Sequence, residues 1–205
     1  MPIGVAMVEQ KRVLHVGCGV KKDTKLHQTF RSPEWLEVRL DIDPKVLPDI
    51  VGSIVQMPTV ESASFDAIWS SHNLEHLESH EVPIALKEFR RVLKSTGFLL
   101  ITLPDLQSVA ELVAKDQLLE PAYQSPAGPI SPLDMLFGHR PSIAAGNYFM
   151  AHRTGFTSRS LGQAIVQAGF AVAKIKRGNQ FDLWGIAHVT QPATEAEPVP
   201  MTMAK

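Results

Sequence analysis

One cysteine, Cys18, stands among the 205 residues, so no internal disulfide can form and nothing asks for an oxidising compartment. The chain also has little net charge: 20 Lys+Arg face 21 Asp+Glu, a formal −1. There is no global basic excess to draw nucleic acid and no polybasic run to bind an anionic membrane. Lys21, Lys22 and Lys25 near the first turn could attract an anionic acceptor or form a solvated face. No apolar run approaches the ~18 residues that a membrane span needs. The first ten residues have neither the basic start nor the long apolar stretch of a secretory signal. A cytoplasmic protein is expected, with no nucleic-acid or membrane partner. With 44% hydrophobic and 20% charged residues, the chain can bury a core of ordinary size. We expect a single domain over 1–190 and a polar, Pro-rich, disordered tail over 191–205.

What is present is organised around Val13-Leu14-His15-Val16-Gly17-Cys18-Gly19. A short apolar run reads as a buried parallel strand, here about 12–16, and it runs directly into a Gly-x-Gly turn. Glycines there let the chain turn sharply and bring bare backbone N–H groups against a ligand. Further strands are predicted over 35–40, 49–54, 64–71 and 98–103. Pro33, Pro44 and Pro48 leave room for one short helix at most between the early strands. Val82, Ala85, Leu86, Phe89, Val92 and Leu93 fall at helical spacing, predicting a helix over 81–94 closed by Gly97. Asp105 is placed to cap a helix over 105–115. Residues 116–150 lose periodicity and carry five prolines, the mark of a lid or binding loop, taken as 116–155. A helix over 157–168 and two strands over 170–176 and 181–189, turned at Gly178-Asn179, complete the chain. Strands alternating with helices give a three-layer α/β domain with a mostly parallel sheet, whose ligands sit at the carboxyl ends of the strands.

Three features converge on that edge: the glycine turn, Asp41 after the second strand, and Ser71-His72-Asn73-Leu74-Glu75-His76 after the fourth. An acidic side chain at the end of the second strand can accept both hydroxyls of a ribose. Together with Leu40-Asp41-Ile42-Asp43-Pro44, Ser64–Leu77 and Glu88–Pro104, these stretches resemble the class I S-adenosylmethionine-dependent methyltransferases, in particular the small bacterial "type 11" group. The resemblance implies a Rossmann-like, seven-stranded, mostly parallel sheet whose antiparallel last strand is inserted beside its neighbour. It implies S-adenosyl-L-methionine as cofactor and S-adenosyl-L-homocysteine as product. Gly17, Cys18 and Gly19 would then lie at the methionine part of the cofactor, and Asp41 at the ribose. Ile42 would pack on the adenine, with Ser53 and Ile54 at its other edge and Ser71 and His72 near the methyl group. The chain departs from the family at three places: His15 stands where an acid is usual, Ser53 where Asp is usual, and Lys21 where a small residue is usual.

In-line methyl transfer asks mainly for positioning and water exclusion. His72 is the candidate base, should the acceptor arrive protonated; it could equally be a hydrogen-bonding strand-end histidine. His72 and His76 are four apart and near Glu75 and His80, a spacing that metal sites use on a helix. The family blocks account for that stretch without an ion, so no metal is expected. His139 and His152 could reach the cleft as lid residues or lie on the surface. The aromatic and Met residues at 135–150 could line a pocket for an unidentified acceptor or form a homodimer contact. The competing reading is a methyltransferase-like domain without turnover, acting as a binding or scaffold module.

Overall fold

β1 (Lys11–Val16) enters the molecule as expected, with its last four residues buried. β2 (Trp35–Asp41), β3 (Ile50–Val51) and β4 (Phe65–Ser71) follow. These elements come from a computed structural model, which describes residues 10–192. The lead-in over 1–9 and most of the expected tail, 193–205, lie outside the described residues.

α1 (Val82–Val92) carries the anticipated apolar stripe, with Val82, Ala85, Leu86, Phe89 and Val92 buried. It ends earlier than the spacing suggested. Leu93 already has extended backbone and opens β5 (Leu93–Pro104) by pairing with Phe65. Gly97 therefore lies within a strand rather than closing a helix. A Cβ there would stand 3.0–3.2 Å from the Lys94 and Asp66 carbonyl oxygens, so close packing explains this glycine. α2 (Leu106–Val113) starts at Asp105, whose side chain accepts from the Gln107 amide.

The segment after α2 is not the structureless lid that its composition suggested. It folds into a hairpin, β6 (Tyr123–Ser125) and β7 (Gly128–Ile130), then α3 (Pro132–Phe137) and α4 (Arg140–Ala144). Pro132 and Pro141 sit in the first turns of α3 and α4, where a missing N–H costs nothing. The same prolines erase the periodicity that would have announced these helices. Val109, Ile130 and Met135 give this lobe its own small core.

α5 (Ser158–Gln167) begins with Thr157 and Ser160 in a reciprocal capping box. β8 (Val172–Arg177) and β9 (Asp182–His188) form the closing hairpin. Its left-handed residue is Phe181, while Gly178 packs against the Asp182 carboxylate.

The sheet order is β3-β2-β1-β4-β5-β9-β8. β1 to β5 are mutually parallel, and β9 runs antiparallel between β5 and β8. This is the seven-stranded Rossmann-like architecture. β3 is shorter than the expected 49–54, because Ser53 accepts the Val55 amide at 3.2 Å and starts a turn. One face of the sheet is covered by α1 and α5, through Leu14, Ile68, Leu99 and Ile101. The other face buries Val13, Ala67, Trp69, Leu100 and Trp184 under Phe30 and Leu26, with only a one-turn 3-10 helix (Gln28–Phe30) in that segment. The order of strands reverses across β1 and β4, and the carboxyl ends of those two strands open there into the cleft where such sheets bind ligands.

Candidate active site

The turn after β1 needs its glycines. Gly17 and Gly19 sit at φ +60° and +59°, a region that side chains disfavour. A Cβ on Gly17 would come within 2.8 Å of the Asn73 carboxamide, and one on Gly19 would collide with the Lys25 ammonium. Burial lowers the Lys25 pKa, and burial likewise pushes the Cys18 thiol between the two glycines up to about 11.

Asp41, at the end of β2, closes this turn from the other side. One carboxylate oxygen accepts the Gly19 amide at 2.7 Å and the other accepts the Asp43 amide at 2.9 Å. A carboxylate has about four acceptor positions, so two remain. Buried Arg39 ties the same loops together, donating to the carbonyls of Gly19 at 2.5 Å and Leu47 at 2.8 Å. On β1, His15 Nδ1 lies 2.6 Å from Glu37 of β2, and this contact outweighs burial to hold the Glu37 carboxyl below its usual range. A carboxylate thus stands beside His15 after all.

β4 ends at Ser71. His72 follows in left-handed backbone at φ +49°, its amide donating to the Thr102 carbonyl at 2.9 Å. A non-glycine residue held there carries strain of about 1–3 kcal/mol, and such strain clusters at functional sites. The chain then makes a 3-10 turn, Leu74–His76, instead of the helix that a His72–His76 pair would share. His72 Nδ1 meets Glu75 Oε1 at 3.2 Å. The His72 side chain is half-exposed; its partial desolvation is outweighed by the hydrogen bond to Glu75 and the nearby Asp182, which raise its pKa. Burial would raise Glu75, yet the contact with His72 and the nearby His76 and His152 bring it below its ordinary value.

Beside Glu75 lies a cavity of about 240 Å³. Its walls come from the end of β5 (Pro104), from α2 (Leu106, Val109), from α3 (Met135, Phe137) and from His152. The 151–155 strand of chain is pinned in place by the Arg153 and Thr154 amides, which donate to the Glu75 carbonyl at 2.8 and 3.2 Å.

The family model of the methyltransferase domain, Methyltransf_11, matches residues 14–101. That stretch, less than half of the chain, is similar to a methyltransferase domain. No curated protein matches the chain in sequence. Among solved structures, PH0226 from Pyrococcus horikoshii OT3 is similar at TM-score 0.60 and 16% identity, over 89% of this chain and 83% of that one. The CMeT domain of the citrinin polyketide synthase is similar at TM-score 0.57 and 14% identity, over 91% of this chain, which spans only 48% of that one. The Burkholderia thailandensis 1,6-didemethyltoxoflavin-N1-methyltransferase, solved with 1,6-didemethyltoxoflavin and S-adenosylhomocysteine, is similar at TM-score 0.54 and 14% identity, over 89% and 72%. At these identities the likeness is one of fold.

Around that stretch, the structure gathers Gly17, Cys18, Gly19, Asp41, Ser71 and His72 at one edge of the sheet, with His15 and Glu37 paired across β1 and β2. Ile42 is half-exposed beside Asp41. Ile54 is committed to the main core, and the Ser53 hydroxyl to its own turn. Lys21 is exposed. Sequence reasoning missed Arg39, and it placed Asn73 in the polar exit of β4 and Lys25 after the glycine turn without assigning either a contact. Arg39 left a signal, a cation inside an otherwise strand-like run, while Lys25 and Asn73 acquire meaning only through contacts with distant glycines. No helix among the described residues is long and apolar enough to cross a membrane.

Proposed function

We propose that the chain transfers a methyl group from S-adenosylmethionine to an acceptor seated in the cavity beside Glu75. One observation carries this reading: residues 73 to 75 join the two halves of the site. The Asn73 carboxamide packs on Gly17, and Glu75, two residues on, lines the cavity.

The residues present fit the cofactor. The glycine turn offers bare backbone, and Asp41 keeps two acceptor positions for the ribose hydroxyls. The buried Asn73 Nδ2 has no partner within the protein, a donor free for a polar group of a ligand. Glu37 beside His15 supplies the acid that the β1 position lacks, which supports turnover over a scaffold role. Ile42 offers its exposed face to a planar base, while Ile54 can contribute only from beneath. Bound S-adenosylmethionine supplies an electrophilic methyl group on a sulfonium, open to in-line displacement.

The protein's own work is placement and proton handling. Leu106, Val109, Met135 and Phe137 make the cavity wall apolar, which suits a small, largely apolar acceptor and excludes water from it. Glu75 can only accept from His72, so Nδ1 carries the proton and Nε2 is left to take one from an acceptor hydroxyl or amine. Balanced charge and a single cysteine support a cytoplasmic enzyme with neither nucleic acid nor membrane as partner. Exposed Phe137, Tyr148 and Phe149 are the surface through which a homodimer would pair.

Isothermal titration calorimetry with S-adenosylmethionine and S-adenosylhomocysteine tests the reading. Heat from both ligands, lost in Asp41→Ala, is expected. No heat from a protein shown to be folded would overturn it.

A further inference from the structure

We propose that Glu75, His76 and His152 form a binding site for a divalent transition-metal ion of the zinc class. One carboxylate oxygen and one ring nitrogen from each histidine lie within 4.8 Å of one another. The residues come from two separate stretches of chain, the 3-10 turn after β4 and the strand-like segment after α4. The two rings meet at 4.9 Å between centroids.

The hydrogen bonds around the cluster are those of a ligand set. His76 Nδ1 donates to the Ala151 carbonyl at 3.1 Å, and His152 Nδ1 donates to the Met135 carbonyl at 2.8 Å. A carbonyl only accepts, so both Nδ1 atoms carry protons, and Nε2 keeps its lone pair in each neutral ring. Metal-binding histidines are fixed in this way, by a backbone acceptor on the other nitrogen. Glu75 is 1% exposed, and its Oε2 has no hydrogen-bond partner. A buried carboxylate oxygen left unsatisfied is costly unless a cation meets it. The Arg153 guanidinium, on the neighbouring segment, donates to Glu78 at 2.8 Å. The only ion pair of Glu75 among the described residues is with His72, through the other oxygen, and it orients the carboxylate.

Two imidazoles and one carboxylate suit zinc and its neighbours rather than calcium or magnesium, and such a set leaves a coordination position open. Bonds of about 2.0–2.1 Å would draw the three groups together by small side-chain rotations. Glu75 and His152 also line the cavity. The open position therefore borders the space assigned to the acceptor, a consequence that alone rests on the methyl-transfer reading.

The test is zinc and cobalt binding to the full chain after chelator treatment, followed by calorimetry, by the visible absorption of bound cobalt and by thermal unfolding. One zinc per chain is expected, with a cobalt spectrum showing nitrogen and oxygen ligands and a rise in unfolding midpoint. Glu75→Gln and His152→Gln, both near-isosteric, should weaken zinc at least about tenfold, while His139→Gln should not. Circular dichroism establishes that each variant is folded. Failure of the folded wild type to bind zinc would overturn the site, as would equal binding by all three variants. Neither result bears on the S-adenosylmethionine titration, so the two readings fail separately.

Discussion

Asp41 accepts the Gly19 amide at 2.7 Å, so the end of β2 fastens the turn that follows β1. The carboxylate suggested by sequence as a ribose acceptor is also a structural clasp. Asp41→Asn, which keeps the shape but replaces one acceptor by a donor, should lose one of the two amide bonds. We expect a stability loss of about 1–3 kcal/mol by urea denaturation, together with weaker S-adenosylmethionine binding by calorimetry. Unchanged stability would show that the clasp contributes nothing.

Gly17 combines two constraints that a double variant separates. Gly17→Ala brings a Cβ to 2.8 Å from the Asn73 carboxamide and holds alanine at φ +60°. The left-handed conformation alone costs about 1–2 kcal/mol. Adding Asn73→Ala should remove the collision and recover part of the loss, while the backbone cost persists. Full recovery in the double variant would mean that the backbone relaxes out of the left-handed region.

The Cys18 thiol should be inert in the native state. Burial pushes its pKa up to about 11, against about 8.5 for an unfolded chain. At pH 8 a disulfide reagent should react with it only after denaturant is added. Because the folded pKa lies above the unfolded one, the native state holds its proton more tightly. This contribution to stability is full below about pH 8.5 and is lost as pH rises toward about 11. Wild type should therefore lose more stability over that window than Cys18→Ala does, and parallel curves would refute the shift.

Gly138 holds the wall of the cavity. It sits at φ +95°, and any Cβ there would run into the Met150 carbonyl, which backs onto Ala151 and His152. Gly138→Ala should loosen the 131–152 lobe, seen as faster hydrogen exchange there, while amides of β1 and β4 stay protected. Uniform loss of protection would show instead that the lobe and the sheet unfold as one unit.

The sheet strands and the three longer helices were legible because their signals are local. A buried parallel strand must be an apolar run, α1 must show a 3.6-residue stripe, and Asp105 and Thr157 must precede the helices they cap. The glycine turn, Asp41 and the polar exit of β4 were legible for the same reason, since topology sends the carboxyl ends of parallel strands to one edge. The 116–150 lobe was not, because prolines that start short helices look in sequence like breakers.

Side-chain pairing across the fold belonged to the tertiary structure alone. The sequence places His72 and His76 four residues apart, but Glu75 reaches back to His72 across a 3-10 turn, and His76 meets His152 instead. Glu37 answers His15 through strand register, and Lys25 finds its place over Gly19. Local propensity and periodicity determine which elements exist and which edge they share. Which side chains face one another across that edge depends on how loops distant in the chain pack, and no short-range pattern carries that.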